Sequence, residues 1–284
     1  MSANRIKVLF LTKYARNGAS SRYRFLAYLP WLHRENIEVR VEPLFDEYYL
    51  EALYSGRRIS AWYLLRRIVR RLMVTARAWR YDLVVIEKEI LPYFFALPER
   101  WLKLTGVPYL ADYDDALFHQ YDQHRSCLVR WFLGKKIATV MRLADVVIAG
   151  NAYLAQYADK AGAKRAEIIP TVIDLDKFGA IAAKETSDGP QVIGWIGSPT
   201  TAHYLVTISD ALAKVCKDRN VRLRLIGAGS FSLPDLDIES LSWNEESEIE
   251  QLKKFDIGIM PLPDSPWERG KCGFKLIQYM ACGL

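Results

Sequence analysis

The chain has 284 residues, a formal net charge of +6 and 51% hydrophobic residues. This hydrophobic content can supply a packed core for two domains, which argues against a disordered protein. The four cysteines form no C-x-x-C pair, and no histidine is spaced to complete a metal site with them, so we expect reduced cytosolic thiols. The positive charge favours polyanionic partners such as phosphates, nucleic acid or anionic lipid.

The chain contains neither a signal peptide nor a membrane-spanning segment that can be recognised from its sequence. Its opening stretch, MSANRIKVLFLT, has an apolar block of only strand length. No later stretch reaches the roughly 18 uncharged apolar residues that a spanning helix needs. We therefore expect a cytoplasmic protein, or one peripheral on the cytoplasmic face of the membrane.

Short β-branched runs alternate with helical segments in the first part of the chain. This alternation is typical of a parallel, doubly wound sheet and predicts a first α/β domain over residues 1–180. The runs are residues 6–12, 37–44, 82–89, 108–115, 144–151 and 166–174. The polar residues 181–190 follow and are predicted to be a linker.

The same alternation returns after the linker and predicts a second domain over residues 191–284. Strands are expected at 191–197, 221–229, 238–243 and 256–262, with helices around 204–218 and 246–254. The chain ends inside or just after another helix. Parallel sheets usually continue until their edges are covered, so we expect an incomplete second domain. The predicted fold class is α/β, with two Rossmann-like doubly wound domains facing a cleft.

Ligand sites of such sheets lie beyond the carboxyl ends of the strands. The loop after the first strand offers small residues for close approach of a ligand and two arginines for a phosphate or carboxylate. Its candidate cleft residues are Gly18, Ser20, Ser21, Arg22 and Arg24. The alternative is a capped helix with two solvated arginines. Neither a dinucleotide G-x-G-x-x-G nor a P-loop spacing is present.

Three carboxylates, Asp112, Asp114 and Asp115, end another predicted strand. They would repel one another unless they bind a cation, accept hydrogen bonds or include one raised pKa. The alternative is a cluster that caps the next helix. The run Glu87–Glu89 also follows a strand, but a solvated charge run explains it equally well.

Two stretches of the second domain are candidates for binding a diphosphate. The first lines the start of a helix with small and hydroxyl side chains, namely Gly197, Ser198, Pro199, Thr200 and Thr201, with His203 in the first turn. The second is the closing stretch, where Lys271 and Lys275 are one helical turn apart and could both reach an anion. The alternatives are a surface or capped histidine and a solvated basic helix face.

Residues 56–80 contain eight arginines and no acid. If the stretch is helical, Arg66, Arg67, Arg70 and Arg71 fall in one half of the helical wheel, with apolar residues in the other. A basic amphipathic helix of this kind could lie on anionic lipid. The alternative is a domain helix whose apolar face joins the core.

The sequence resembles the retaining glycosyltransferases of family 4, or group 1, which have the GT-B fold. The stretch GKCGFKLIQYMACG is similar to the donor signature of that family through Gly273, Ala281 and Gly283, with Gly270 and Gln278 in place of its two glutamates. Ser198 and His203 stand where the family has an arginine and a lysine. The stretch IIPTVIDLDKF is similar to its interdomain motif, and Asp114 stands where the family often has a histidine.

The resemblance implies a hexosyltransferase that moves a sugar from a nucleotide-diphosphate-sugar to a hydroxyl of a glycan or lipid-linked acceptor. It implies retention of configuration and no metal or other cofactor, with the nucleotide sugar as co-substrate. The basic helix of residues 56–80 adds an anionic membrane surface as a further candidate partner. The expected catalytic residues are Asp114 and Glu268. The expected donor-binding residues are Gly197, Ser198, Pro199, Thr200, Thr201, His203, Lys271, Gly273, Lys275 and Gln278.

Family members usually continue for several dozen residues, so the resemblance also implies a truncated chain. Two other functions stay open from the residues alone. One is a non-catalytic nucleotide-sugar or glycan-binding protein, and the other is a nucleotide-sugar hydrolase or epimerase on the same fold. A nucleic-acid binder is disfavoured, because the basic residues concentrate on one helix and no recognised binding module is present.

Overall fold

The computed structural model describes residues 5–179, 189–234 and 236–284. The chain forms two compact units. The first comprises Met1–Thr171 and Ser265–Cys272, and the second comprises Val172–Asp264 and Gly273–Leu284. The domains predicted at 1–180 and 191–284 differ from these units in two places, since the second unit begins at Val172 and Ser265–Cys272 belongs to the first. Most of the predicted linker lies outside the described residues.

The first unit contains a six-stranded parallel sheet with the order β2-β1-β3-β4-β5-β6. Each strand lies inside one of the runs predicted for it, so the expectation of a parallel, doubly wound sheet is confirmed. The strands are β1 Ile6–Leu11, β2 Ile37–Val41, β3 Leu83–Glu87, β4 Tyr109–Tyr113, β5 Val146–Ala149 and β6 Ala166–Ile168.

Helices cover both faces of this sheet. In chain order they are α1 Ala19–Arg24, α2 Leu29–Arg34, α3 Glu47–Tyr54, α4 Ala61–Ala76, α5 Leu97–Leu104, α6 His119–Asp122, α7 Cys127–Leu133, α8 Lys136–Leu143 and α9 Ala152–Lys160. The step from β1 to β2 runs in one direction along the sheet and the later steps run in the other. Because such crossovers are right-handed, α1 and α2 lie on one face and α4, α5, α8 and α9 on the opposite face. On that face α4 contacts α5, α5 contacts α8, and α8 contacts α9.

Helix α4 turns part of its arginine side towards the sheet. Arg71 is 3% exposed, and its guanidinium donates to the carbonyl oxygen of Thr12. Arg67 donates to the carbonyl oxygens of Leu44 and Pro43, each at 2.7 Å. These carbonyls follow the ends of β1 and β2, and a guanidinium has five N–H groups with which to satisfy them. The prediction that Arg67 and Arg71 face a membrane is therefore wrong.

Most of the apolar side of α4 does not join the core either, although Val74 packs against it. Arg66 and Arg70 remain at the surface, where Arg70 pairs with Glu42 at 2.9 Å. The exposed apolar side chains of the helix are Trp62, Leu65, Ile68, Val69, Leu72 and Met73. The alternative that the apolar face joins the core is therefore wrong for these side chains, because Arg67 and Arg71 pack towards the sheet instead.

The second unit contains a four-stranded parallel sheet with the order β10-β7-β8-β9. Its strands are β7 Gln191–Ile196, β8 Val221–Ile226, β9 Ile238–Leu241 and β10 Ile257–Gly258. The remaining helices are α10 Pro199–Ala202, α11 Ser209–Asp218, α12 Glu248–Leu252, α13 Pro266–Arg269 and α14 Phe274–Ala281, of which α13 belongs to the first unit. Across the described residues, every helix is too short or too polar to traverse a bilayer.

Candidate functional site

A cluster of charged side chains lies at the carboxyl ends of the strands of the first unit. Arg24 of α1 forms a bidentate pair with Asp112 of β4, with both N–O distances at 2.6 Å. The same guanidinium donates to the carbonyl oxygen of Ile169 at 3.1 Å and to the hydroxyl of Thr171 at 3.0 Å. Both charged side chains of the pair are almost fully buried. Arg24 therefore connects α1 to β4 and to the segment that follows β6.

Lys88 is the central cation of this cluster. Its ammonium lies 2.8 Å from Asp114 Oδ1 and 3.0 Å from Asp115 Oδ2. Lys271 reaches the other oxygen of Asp115 at 3.4 Å. Each of the three predicted aspartates thus forms an ion pair with a cationic side chain of the protein. These pairs offset the repulsion between the carboxylates that the sequence predicts. Among residues 5–179, 189–234 and 236–284, no group of three or more histidine, cysteine or acidic side chains could hold a metal ion.

The protonation of Asp114 is fixed by its partners. Burial alone would raise the pKa of this carboxyl, but the ammonium of Lys88 and a hydrogen bond from Ser20 lower it to about 2. Burial likewise lowers the pKa of Lys88, but Asp114 and Asp115 together raise it well above its usual value. At neutral pH Asp114 is therefore a carboxylate, which can accept hydrogen bonds but cannot act as a general acid.

The predicted loop after β1 is built into this cluster rather than left in solvent. Ser21 is fully buried and donates to Glu87 Oε2 at 2.6 Å, and the same oxygen accepts from the backbone N–H of Lys13 at 2.7 Å. Arg22 is 6% exposed and donates to the carbonyl oxygen of Arg16. The alternative of two solvated arginines is therefore wrong.

The interpretation of Glu87–Glu89 as a solvated run is also wrong. All three side chains are buried. Burial raises the pKa of Glu87, although Lys88 and Ser21 oppose this effect. Glu89 accepts from Tyr121 at 2.8 Å and pairs with buried Lys136. The available signal was the position of the run at the carboxyl end of the otherwise apolar strand β3, the edge where ligand sites form.

The segment Ser265–Cys272 packs against the same cluster. The thiol of Cys272 donates to the carbonyl oxygen of Asp114 at 3.3 Å, and the amide of Asn151 donates to the carbonyl oxygen of Lys271 at 3.2 Å. A Cβ added at Gly270 would lie 2.4 Å from the backbone nitrogen of Ala116. Because Gly270 has no side chain, the backbone of this segment can pack directly against the backbone of Ala116. The carboxylate of Glu268 accepts from Ser265 within this segment.

In the second unit, the loop after β7 meets a lysine of α14. The ammonium of Lys275 lies 4.2 Å from the ring centroid of Trp195. A Cβ added at Gly197 would lie 2.8 Å from that ammonium and 2.5 Å from the Trp195 ring. The predicted neighbours Gly197 and Lys275 are thus in direct proximity, with the cation at the carboxyl end of a parallel strand.

The hydroxyl side chains of this loop form hydrogen bonds with other groups of the same loop. Ser198 caps α10 and hydrogen-bonds the hydroxyl of Thr200 at 2.8 Å. The hydroxyl of Thr201 donates to the carbonyl oxygen of Ser198. His203 is exposed, and its Nδ1 lies 2.9 Å from the carbonyl oxygen of Thr200. Pro199 occupies the first position of α10, where its missing N–H costs nothing.

The remaining donor candidates, Gln278 and Lys271, belong to different units. Gln278 is 3% exposed, and its amide donates to Glu248, which also accepts from the indole N–H of Trp243 at 3.0 Å. Sequence reasoning did not select Glu248, since it lies far from Gln278 in the chain. Helix α14 begins at Phe274 after Gly273, which has a φ of 64°. The prediction that Lys271 and Lys275 share one helical turn is therefore wrong, because Lys271 precedes the helix.

No protein-family model matches the chain, and no curated protein matches it either. Solved structures do match over nearly its whole length. An α-glucosyltransferase in complex with UDP has a TM-score of 0.62 at 13% identity, covering 98% of this chain and 78% of that chain. A glycosyltransferase from Rickettsia africae ESF-5 has a TM-score of 0.60 at 14% identity, covering 99% and 78%.

A third match is the α,α-trehalose 6-phosphate synthase from Burkholderia multivorans, with a TM-score of 0.54 at 13% identity, covering 99% of this chain and 82% of that chain. Likeness at such low identity identifies the fold. The chain has the GT-B fold of these glycosyltransferases, with two Rossmann-like units, and this confirms the fold expected from the resemblance.

Proposed function

We propose that the protein is a glycosyltransferase that uses a nucleotide-diphosphate-sugar and transfers its sugar to a hydroxyl of a glycan or lipid-linked acceptor. The fold supports this proposal, since its solved neighbours include α-glucosyltransferases in complex with UDP and with UDP-glucose. The proximity of two candidate residues supports it as well. The ammonium of Lys275 stands beside Gly197 at the carboxyl end of β7, the edge at which such sheets bind ligands.

In this proposal Lys275 and the loop Gly197–Thr201 bind the diphosphate. A glycine in contact with a cation lets a phosphate approach the backbone closely, and the cation offsets the charge that develops on the leaving diphosphate. The indole face of Trp195 holds the ammonium at 4.2 Å and restricts its position. Gln278 and Glu248 form a buried amide–carboxylate pair that we assign to the ribose or sugar hydroxyls.

We assign the charged cluster of the first unit to sugar hydroxyls. Asp114 is ionised at neutral pH, so it would accept a hydrogen bond from a hydroxyl or stabilise positive charge in the transition state. It would not deliver a proton to the leaving group. This assignment agrees with a retaining reaction in which the diphosphate departs without an acid from Asp114.

The test first measures the affinity of the whole chain for nucleotides and then its turnover of nucleotide sugars. Isothermal titration with UDP, GDP and ADP should give binding to at least one of them. The variant Lys275→Ala should weaken it by roughly tenfold, the usual value of one charge-assisted contact. The matched control is Lys217→Ala, an exposed lysine of α11 in the same unit. Equal binding by the two variants would remove Lys275 from the donor site.

Turnover separates this proposal from a second candidate, a nucleotide-sugar-binding protein without transferase activity. One observation favours that candidate, namely that every aspartate of the cluster is already neutralised by a cation of the protein. Labelled nucleotide sugars should be tested with lipid-linked and free glycan acceptors. Transfer of label supports the transferase. Binding without transfer supports the second candidate, and release of free sugar without acceptor would indicate a hydrolase.

A further inference from the structure

Lys13 follows β1 and lies beside the charged cluster of the first unit, but it forms no ion pair there. Arg24, Lys88 and Lys271 each pair with an aspartate of the cluster. Within the part of the chain that the structure describes, the ammonium of Lys13 has no carboxylate partner and lies 5.5 Å from the ring centroid of Tyr14. An ammonium that is partly withdrawn from water normally requires an oxygen partner.

The acids near Lys13 are occupied by other groups. Glu87 Oε2 accepts from the hydroxyl of Ser21 and from the backbone N–H of Lys13. Glu87 Oε1 is buried and has no hydrogen-bond partner among the described residues, so it does not contact the ammonium. Glu89 pairs with buried Lys136. The counter-charge of Lys13 is therefore not supplied by these two glutamates.

The electrostatic surroundings of Lys13 favour an anion. Burial lowers the pKa of Lys13, and the ammonium of Lys88 lowers it further. Glu89, Glu87 and Asp115 act in the opposite direction, which shows that they lie near the ammonium without pairing with it. Lys13 is half-buried rather than enclosed. An anion from solvent could therefore pair with Lys13 without first breaking an ion pair of the protein.

Lys13 also stands on a fixed backbone beside aromatic rings. Its N–H donates to Glu87 at 2.7 Å, and its carbonyl oxygen accepts from the N–H of Phe45 at 3.0 Å. The rings of Phe45 and Tyr49 stack at 4.0 Å, and the ring of Tyr14 lies 6.1 and 6.2 Å from them. All three rings are half-buried. Aromatic side chains around one placed polar group are typical of a small-molecule site.

We propose that Lys13, Tyr14, Phe45 and Tyr49 form a subsite for a sugar that carries a negative charge, and that this sugar is the acceptor of the proposed transferase. The ammonium would pair with the anionic group, a carboxylate or a phosphate. The aromatic rings would pack against the apolar face of the sugar. A neutral sugar would leave the ammonium without a counter-charge, and an inorganic anion would leave the rings without a contact. The role as acceptor rests on the proposed function, whereas binding of the charged sugar requires no turnover.

The test is direct binding to the whole chain, without a donor, measured by titration calorimetry or ligand-observed NMR. The probes are the neutral, uronate and 6-phosphate forms of glucose, galactose and mannose. At least one charged form should bind roughly tenfold more tightly than its neutral form. Lys13→Met should abolish this preference, and Lys13→Arg should keep it. A preference for the uronate identifies a carboxylate as the anionic group, and a preference for the 6-phosphate identifies a phosphate.

The matched control is Lys7→Met, which changes an exposed lysine of the same strand, β1. It should bind the charged sugars like the unchanged protein. Lys13→Met breaks no ion pair, so the midpoint of chemical denaturation should not fall. The proposal is overturned if no charged form binds more tightly than its neutral form, or if Lys7→Met loses as much affinity as Lys13→Met. Inorganic phosphate that binds as tightly as the sugar phosphate would also overturn it.

The failure of this subsite can be distinguished from the failure of the proposed function. Transfer of label to neutral glycans, with no preference for charged sugars in the binding test, would overturn the subsite and leave the transferase intact. Binding of charged sugars through Lys13 without any transfer would support the subsite and remove only its role in catalysis.

Discussion

The ammonium of Lys88 lies 2.8 Å from the carboxylate of Asp114, at the edge where β3 and β4 end. Lys88 has a φ of 67°, a left-handed conformation that residues with a side chain rarely adopt. Its backbone N–H donates to the carbonyl oxygen of Asp112 at 2.9 Å. The strained backbone is thus held by a main-chain hydrogen bond and two ion pairs. Such strain concentrates at functional sites.

Replacing Lys88 by methionine should destabilise the first unit strongly. The change leaves the buried carboxylate of Asp114 without its main cation, and breaking a buried pair on one side typically costs about 3–5 kcal/mol. Chemical denaturation should therefore show a lower midpoint. The control Lys164→Met removes an exposed lysine from Asp145 and should change the midpoint little. Equal effects from the two changes would contradict the central role of Lys88.

The ionisation of Asp114 should make stability depend on acid pH. Its folded pKa of about 2 lies below the ordinary 3.8, so its contribution is present above about pH 4 and is lost as the pH falls towards 2. The difference corresponds to about 2 kcal/mol in the free energy of unfolding. The measurement is the difference in that free energy between the unchanged protein and Asp114→Asn, taken from pH 6 downwards. If the difference in free energy stays constant down to pH 2, the pKa of Asp114 is not lowered by folding.

Replacing Gly197 by alanine should disturb the donor site of the second unit. The new Cβ would lie 2.5 Å from the Trp195 ring and 2.8 Å from the Lys275 ammonium, so both groups must move. Overpacking of this kind costs about 1–3 kcal/mol of stability. We also expect weaker nucleotide binding in titration calorimetry, since the cation is displaced. Binding equal to that of the unchanged protein would show that the diphosphate does not use this position.

The cysteines should differ in their reaction with iodoacetamide. Burial, reinforced by the carboxylate of Asp114, raises the pKa of Cys272 to about 12, so few thiolates are present at pH 8. Cys127 is exposed. Mass spectrometry over time should therefore find Cys127 modified at least about tenfold faster than Cys272. Faster reaction at Cys272 would mean that Ser265–Cys272 separates from the cluster in solution.

The strands could be predicted because their pattern is local. The first four residues of β3, LVVI, are all apolar, which is typical of a strand buried on both faces of a parallel sheet. The buried charges could not be predicted in the same way. Lys88 and Arg71 are buried because their partners, Asp114 and the carbonyl of Thr12, arrive from distant parts of the chain. The local sequence around each residue does not indicate which distant group it will contact.

The candidate site was predicted to different degrees in its two parts. The proximity of Gly197 and Lys275 follows from the rule that loops after parallel strands form ligand sites, which can be applied to the sequence directly. The contact between Gln278 and Glu248 needs the packing of α12 against α14, which no local pattern specifies. The assignment of Ser265–Cys272 to the first unit is likewise a tertiary property.

The order of the chain has a consequence for folding during synthesis. The ribosome delivers Met1–Thr171, then the whole of Val172–Asp264, and only then the stretch whose Gly270 and Cys272 cover Ala116 and Asp114. At typical elongation rates of about 5–20 residues per second, the nascent first unit waits for seconds before this cover arrives. During that interval a factor that shields the edge of its sheet would have the most effect on the yield of native protein.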